Sequence, residues 1–219
     1  MTEITVPSPV STHVPEHLPA DVPTSSKDAA WASFIVPIEK QALIGFCQDV
    51  SRLLRINPYL EFEKWEACGD NLYQMSALNL SNDPPVNIDN KLQVVSQDDG
   101  VLIKYIGGLK SSTKFKIEAA DKGSKITIIE DYESLNEQER QGRLDEVDKS
   151  LTKWAEDIQA YLVRWKRWSW FLPWRWYMKK VWQPMKPTAR RITYMLLWIS
   201  VIEVALIGLG VAIYFVEYG

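Results

Sequence analysis

The sequence predicts an α+β domain with an antiparallel β-sheet, followed by one helix long enough to cross a membrane. Three observations support this fold class. Strand-like segments follow one another between turn signals, and helical patterns lie on either side of them. Finally, residues 192–216 form an apolar run of 25 residues, which at ~1.5 Å per residue exceeds the ~30 Å thickness of a hydrocarbon core.

The chain begins with an arm, residues 1–28, whose five prolines and polar residues cannot bury a core. It also lacks the basic and apolar regions of a secretory signal. A strand is then predicted over 31–38, followed by helices over 39–50 and 51–56, the second of which stops before Pro58. Six further strands, separated by turn residues, are predicted over 59–68, 71–81, 86–97, 101–109, 113–119 and 125–132.

A long helix is predicted to end the domain. Ser134 to Glu137 resembles a capping box that opens it, and the helical pattern continues to Trp168. Apolar residues recur three and four apart along it, which predicts one buried face: Leu144, Val147, Leu151, Trp154, Ile158, Tyr161 and Trp165. The predicted organisation is an arm (1–28), a folded domain (29–168), a juxtamembrane segment (169–191), a membrane helix (192–216) and a tail (217–219).

This order of elements resembles the START-like, helix-grip (SRPBCC) superfamily, which includes polyketide cyclases, coenzyme-Q-binding proteins and lipid-transfer domains. The resemblance covers residues ~30–165. It also rests on Val36-Pro37-Ile38 before the first helix and on Arg55-Ile-Asn-Pro58 before the second strand. It implies a helix-grip fold, in which a curved antiparallel sheet, with two short helices, carries a long C-terminal helix across its concave face. The added membrane helix departs from the superfamily.

The resemblance further implies that inward-facing residues line an apolar ligand pocket. Alternation along the last two strands places Phe115, Ile117 and Ala119 on one side of the sheet. Ordinary core packing is the alternative for each candidate. Glu130 is the one charged residue in its inward row, and is either a solvated carboxylate at a strand end or a polar handle for a ligand. The candidate ligand-binding residues are Phe115, Ile117, Ile126, Ile128, Glu130, Tyr132, Trp154 and Ile158.

Charge is divided sharply along the chain. Residues 1–157 carry a net charge of −10, whereas residues 158–191 contain nine basic residues and no acidic residue. Tryptophan favours the lipid headgroup layer and clustered basic residues attract anionic lipid, so this segment predicts contact with membrane lipid and not with nucleic acid. Basic residues before a span also favour a cytoplasmic N-terminal domain, at the inner membrane if the cell is bacterial. The candidate interface residues are Trp165, Trp168, Trp170, Trp174, Arg175, Trp176, Lys179, Lys180 and Trp182.

Glu203 is the only charged residue in the apolar run. A carboxylate at this depth costs about 2.5–3.5 kcal/mol on insertion scales, so it should be neutralised, paired or turned toward protein. Ala205, Gly208 and Ala212 form a small-residue face nearly opposite, suited to close helix packing. The span therefore predicts a membrane-protein partner or a homo-oligomer, with a partnerless Glu203 as the alternative.

Enzymatic chemistry has little support in the sequence. Both histidines, His13 and His17, lie in the arm, which removes histidine-based catalytic and zinc sites from the folded domain. No nucleotide motif occurs, and Cys47 and Cys68 are expected to be reduced core thiols. We therefore expect no cofactor or metal. The favoured hypothesis is a membrane-anchored binder or carrier of a lipid or quinone-like molecule. An accessory subunit of a membrane complex is the second and a cyclase-like enzyme the third.

Overall fold

A computed structural model describes residues 29–107, 110–132 and 144–218. In these ranges the strands are β1 (Ala29–Val36), β2 (Leu60–Gly69), β3 (Leu72–Asn79), β4 (Val86–Gln97), β5 (Gly100–Ile106), β6 (Ser112–Ala120) and β7 (Gly123–Asp131). The helices are α1 (Lys40–Gln48), α2 (Val50–Arg55), α3 (Leu144–Trp168), α4 (Leu172–Tyr177) and α5 (Pro187–Tyr218), with a π-helical turn, Met178–Trp182, before α5. The predicted fold class is confirmed.

The seven strands form one antiparallel sheet in the order β1-β7-β6-β5-β4-β3-β2. Strands β2 to β7 follow one another as a meander, in which each strand pairs with the next along the chain. The first strand joins the other edge, where Ala29 is paired with Asp131 and Val36 with Ser124. Chain order and sheet order therefore differ only at β1.

Two of the predicted turns depend on glycine. Gly100 has φ +155°, and a Cβ there would lie 1.8 Å from the Phe115 carbonyl oxygen. Gly123 has φ +126°, and a Cβ there would lie 2.1 Å from the Val36 carbonyl oxygen. Since backbone occupies the side-chain position in both cases, no other residue type fits without displacement of the sheet.

The junction between α1 and α2 differs from the prediction. The first helix ends at Gln48, and the Asp49 carboxylate accepts a hydrogen bond of 3.2 Å from the Arg52 backbone N–H at the start of α2. An aspartate at this position favours a new helix start over continuation of the old one. The prediction of two core thiols is right for Cys47, which is buried, and wrong for Cys68, which is exposed on the edge strand β2. Burial raises the pKa of the Cys47 thiol to about 12.

Helix α3 supplies one face to the core. Its apolar stripe is buried from Leu151 to Tyr161, as predicted. The helix is joined to β1 by a 3.2 Å hydrogen bond from the Gln159 amide to the Ile35 carbonyl oxygen. The predicted capping box at 134–137, and the side chains of Leu144 and Val147, lie outside the described residues.

The chain divides into two compact units, the first ending at Arg175 and the second beginning at Trp176. In the second unit, the Arg190 guanidinium donates hydrogen bonds of 3.0 Å to the carbonyl oxygens of Trp182 and Gln183, and lies over the Trp182 ring. These contacts tie the first turns of α5 to the π-helical turn. Among the described residues, α5 is the one helix that is long and apolar enough to cross a membrane.

Candidate ligand-binding face

The candidate site lies on the sheet face that α3 covers, which we call the inner face. Directly paired residues of neighbouring strands point to the same side of a sheet. Glu130 of β7 is paired with Thr113 of β6, Thr113 with Ile103 of β5, and Ile103 with Val94 of β4. The inner face therefore continues from β6 and β7, where the sequence predicted it, across β5 and β4.

The apolar candidates on β6 and β7 come together in the closed part of this face. Phe115 is paired with Ile128 and Ile117 with Ile126, and all four side chains have no exposed surface. A side chain without exposed surface contacts protein on every side. Ala119, by contrast, is exposed, so the predicted inward row ends at Ile117.

Two candidates from α3 complete this closed part. The Trp154 ring meets the Phe115 ring edge to face at a centroid distance of 5.4 Å and an interplanar angle of 85°. Its indole N–H points to the Leu53 carbonyl oxygen at 3.4 Å, which gives the buried polar atom a partner. Ile158, one turn further along α3, is also fully buried. The helix, α2 and β6 therefore hold one another in place at this point.

A buried polar group lies beside the closed part. The Glu130 side chain is 2% exposed, so the alternative of a solvated carboxylate is wrong. One carboxylate oxygen forms an ion pair with the Lys110 ammonium, and the other accepts a hydrogen bond from the Tyr132 hydroxyl. Tyr105 adds a second hydroxyl, 3.2 Å from the Thr113 hydroxyl. These residues form a polar group among the largely apolar side chains of the inner face.

The charges in this group depend on one another. Burial acts to lower the pKa of Lys110, but the Glu130 carboxylate and Tyr105 outweigh it, so the Lys110 pKa lies above its ordinary value. Burial raises the pKa of Tyr105, and the Lys110 charge opposes that rise only in part. The ammonium lies 5.7 Å from the ring centroids of both Tyr105 and Tyr132. At neutral pH Lys110 is therefore a cation and the Tyr105 hydroxyl is neutral.

The sequence did not predict Lys110 as a site residue, because it falls between two predicted strands, where a lysine usually points to solvent. The available signal was Glu130 itself, since a carboxylate in an inward row requires a cationic or hydrogen-bonding partner. The chain offers that partner from the segment before β6, where the Ser111 N–H and hydroxyl both donate to the Asp131 carbonyl oxygen at 2.9 Å. This anchoring brings the neighbouring Lys110 to Glu130.

A second set of aromatic residues, on β2 and β3, lies on the same inner face and stays partly exposed. Trp65 stacks on Tyr73 with a centroid distance of 5.1 Å, and Phe62 meets Trp65 edge to face at 6.1 Å. All three are half-buried. Simple alternation would place Phe62 and Trp65 on opposite faces. The register shift between Phe62 and Lys64 turns both to the inner face, so sequence alternation alone did not find them.

The predicted interface residues fall into two groups by exposure. Trp168, Trp170 and Trp176 are 43%, 75% and 63% exposed. Trp165 and Trp174 are half-buried and pack against each other with a centroid distance of 5.5 Å. Trp182 is also half-buried, whereas Arg175, Lys179 and Lys180 are exposed. Glu203 lies on α5, exposed with its apolar neighbours.

The seven-stranded antiparallel sheet and the helix that covers it define an α+β helix-grip fold. A similar solved structure is TTHA0849 from Thermus thermophilus, with a TM-score of 0.50 and 9% identity over 62% of this chain and 97% of that one. DR_A0006 from Deinococcus radiodurans has a TM-score of 0.45 and 12% identity over 64% and 98% of the two chains. The di-domain ARO/CYC StfQ from the steffimycin biosynthetic pathway has a TM-score of 0.48 and 8% identity over 64% and 52%.

The similarity to TTHA0849, at 9% identity, shows a shared fold and nothing finer. Neither the protein-family models nor the curated proteins contain a match to the chain. Within the described ranges, no group of three or more histidine, cysteine, aspartate or glutamate residues is placed to hold a metal ion.

Proposed function

We propose that the chain is a membrane-anchored START-like domain that binds or carries a hydrophobic ligand, lipid or quinone-like, at the membrane face. The observation that carries this proposal is the exposure of α5. Every residue of this helix from Tyr194 to Tyr218 is exposed, and nearly all are apolar. Because such a surface is unstable in water, it requires lipid or another apolar surface around it.

The proposed topology places the helix-grip domain in the cytoplasm. Nine basic residues and no acidic residue occupy 158–191, and such residues favour the cytoplasmic side of a span. Reporter fusions at the two ends of the chain test the orientation. We expect an N-terminal reporter to be active only in the cytoplasm and a C-terminal reporter only on the far side. A C-terminal reporter active in the cytoplasm contradicts the topology.

The ligand chemistry that fits the inner face is an apolar body with one polar group. The partly exposed rings of Phe62, Trp65 and Tyr73 offer flat apolar surface at one end of the face. The Glu130–Lys110 pair and its tyrosine hydroxyls offer both donors and acceptors to a hydroxyl, carbonyl or headgroup. In this proposal the apolar surface supplies affinity, and the buried polar group sets the orientation of the ligand.

The test uses the full chain, purified in mild detergent and studied by native mass spectrometry for retained apolar molecules. Ile117→Phe adds volume to the inner face, whereas Glu118→Phe adds the same group to the opposite face of the same strand. We expect Ile117→Phe to lose the retained ligand and Glu118→Phe to keep it. Thermal unfolding must show that both variants fold. Equal ligand in all three proteins contradicts binding on the inner face.

One observation favours a second candidate, the accessory subunit. Phe115, Ile117, Ile126 and Ile128 are fully buried, so ligand binding at these four residues requires them to separate. A domain packed in this way serves equally well as a rigid platform beside a membrane protein. Absence of any retained ligand in the wild-type chain, together with co-purification of one membrane protein in fixed ratio, favours this candidate over the carrier.

A further inference from the structure

One arginine of α2 lies among aromatic side chains from three other helices. The Arg52 guanidinium carbon is 4.9 Å from the Phe46 ring centroid and 4.4 Å from that of Trp165. The Trp165 ring is stacked on Tyr161 at 6.1 Å and lies 5.5 Å from Trp174. We call these five residues, Phe46, Arg52, Tyr161, Trp165 and Trp174, the Arg52 cluster. All of them belong to the first compact unit.

The hydrogen bonds of Arg52 leave most of its donors unused. Its Nε–H and one Nη2–H donate to the Tyr161 hydroxyl at 3.1 and 2.6 Å. A guanidinium carries five N–H donors, so three remain. The nearby Asp49 carboxylate accepts from the Arg52 backbone. Within the described part of the chain, no carboxylate forms an ion pair with the Arg52 guanidinium.

The position of Arg52 suits recognition of an anion. The side chain is half-buried, so water screens its charge only in part, yet it stays within reach of a ligand. Flanking rings fix the plane of the guanidinium, which reduces the entropy lost when it binds. Arginine forms its strongest hydrogen bonds with carboxylate and phosphate oxygens, often two at a time. The cluster thus offers a preorganised, positively charged fork.

The surrounding sequence favours a phosphate in a lipid layer. Trp165 and Trp174 belong to the segment 158–191, which contains nine basic residues and no acidic residue. Eleven residues separate Arg175 from Pro187, where α5 begins, and a chain of that length extends at most about 40 Å. A short stretch of chain therefore joins the unit that contains the Arg52 cluster to the helix proposed to lie in lipid.

We propose that the Arg52 cluster binds the phosphate group of a membrane phospholipid. The unused guanidinium N–H groups donate to phosphate oxygens, and the aromatic rings limit the access of water to the bonds. This site is on the α1–α2–α3 side of the domain and is separate from the inner-face polar group of Glu130 and Lys110. It rests on the proposed membrane attachment.

The test measures lipid binding to the full chain in nonionic detergent by native mass spectrometry, with phosphatidylglycerol as the probe. Diacylglycerol with the same acyl chains lacks only the phosphoglycerol headgroup and reports non-specific binding. We expect Arg52→Gln to bind phosphatidylglycerol roughly tenfold to a hundredfold more weakly than wild type, the loss typical of a hydrogen bond to a charged group. Diacylglycerol binding should be the same in both proteins.

Two variants separate phosphate recognition from folding and from charge in general. Tyr161→Phe removes the hydrogen bonds within the cluster but keeps the cation, so it should retain tight binding. Arg164→Gln removes an exposed charge one residue from Trp165 and should also retain it. The proposal is overturned if Tyr161→Phe loses binding as Arg52→Gln does, or if Arg164→Gln has the same effect.

The source of the phosphate is settled by competition. Inorganic phosphate should displace phosphatidylglycerol only weakly, because it lacks the acyl chains that hold the lipid near the protein. Full displacement by inorganic phosphate at equal concentration would assign the site to a free phosphate and overturn the lipid assignment. Alkaline carbonate extraction of cell membranes that contain the full chain tests independently whether α5 spans the membrane. A chain released by carbonate contradicts the membrane attachment but leaves the phosphate measurement valid.

Discussion

Removal of the Lys110 ammonium should destabilise the domain through Glu130. The Glu130 side chain is 2% exposed, and Lys110 is its cationic partner. In Lys110→Ala the carboxylate stays buried without that partner, and the cost of breaking a buried pair on one side is about 3–5 kcal/mol. The Lys110 side chain is 27% exposed, so water reaches the pair and we expect the lower end, about 3 kcal/mol.

The assay is thermal unfolding of the full chain in nonionic detergent, followed by near-ultraviolet circular dichroism. A loss of 3 kcal/mol corresponds to a fall in the midpoint of roughly 6–12 °C for a chain of this size. Lys104→Ala, an exposed lysine on β5, should change the free energy of unfolding by less than about 0.5 kcal/mol. Lys110→Met combined with Glu130→Leu should recover most of the stability, because it removes both charges. If Lys110→Ala and Lys104→Ala have the same midpoint, Glu130 does not depend on Lys110.

Two further predictions concern a buried thiol and the membrane helix. Burial raises the pKa of Cys47 from 9.0 to about 12. Above pH 9 the thiol ionises in the unfolded chain but stays protonated in the folded one. The contribution of this thiol to stability is therefore complete below pH 9 and is lost as the pH rises from 9 toward 12. The loss is about 1.4 kcal/mol per pH unit in that window, and Cys47→Ala should flatten this part of the stability curve. An identical slope in Cys47→Ala would show that other groups cause it. In the membrane helix, Glu203→Leu should weaken a detergent-resistant assembly and leave membrane insertion intact. Native gels and crosslinking compare the assemblies of the two proteins. The same species for both would exclude a role for Glu203 in association.

The order of elements was predictable because the turns are strongly marked. The prediction for β4, 86–97, matches the observed bounds, since Asp83-Pro84-Pro85 and Asp98-Asp99-Gly100 enclose it. The closed part of the inner face was predictable for a related reason. Phe115 and Ile117 alternate with charged residues on a regular strand, so their face follows from the period of two.

The positions of the other site residues do not follow from the two-residue alternation of side chains along a strand. Phe62 and Trp65 share a face only because of a β-bulge, which shifts the alternation by one residue. Lys110 reaches Glu130 from a segment without a period of its own. Arg52 meets Tyr161 across 109 positions of sequence, and its neighbours become visible only when α2 and α3 are placed side by side. Contacts between elements set these positions, and no local pattern encodes them.

The pairing of β1 with β7 bears on how the chain acquires its structure. Strands β2 to β7 pair with their neighbours along the chain and close short loops, whereas β1 must find a strand about a hundred positions away. Closing so long a loop costs entropy before any contact compensates for it, which places such sheets among the slower folders, at roughly milliseconds to seconds. During synthesis the core side chains of β1, among them Phe34 and Val36, stay uncovered until β7 has left the ribosome. The first strand is therefore the part of the sheet that waits longest for its partner while the chain is being made.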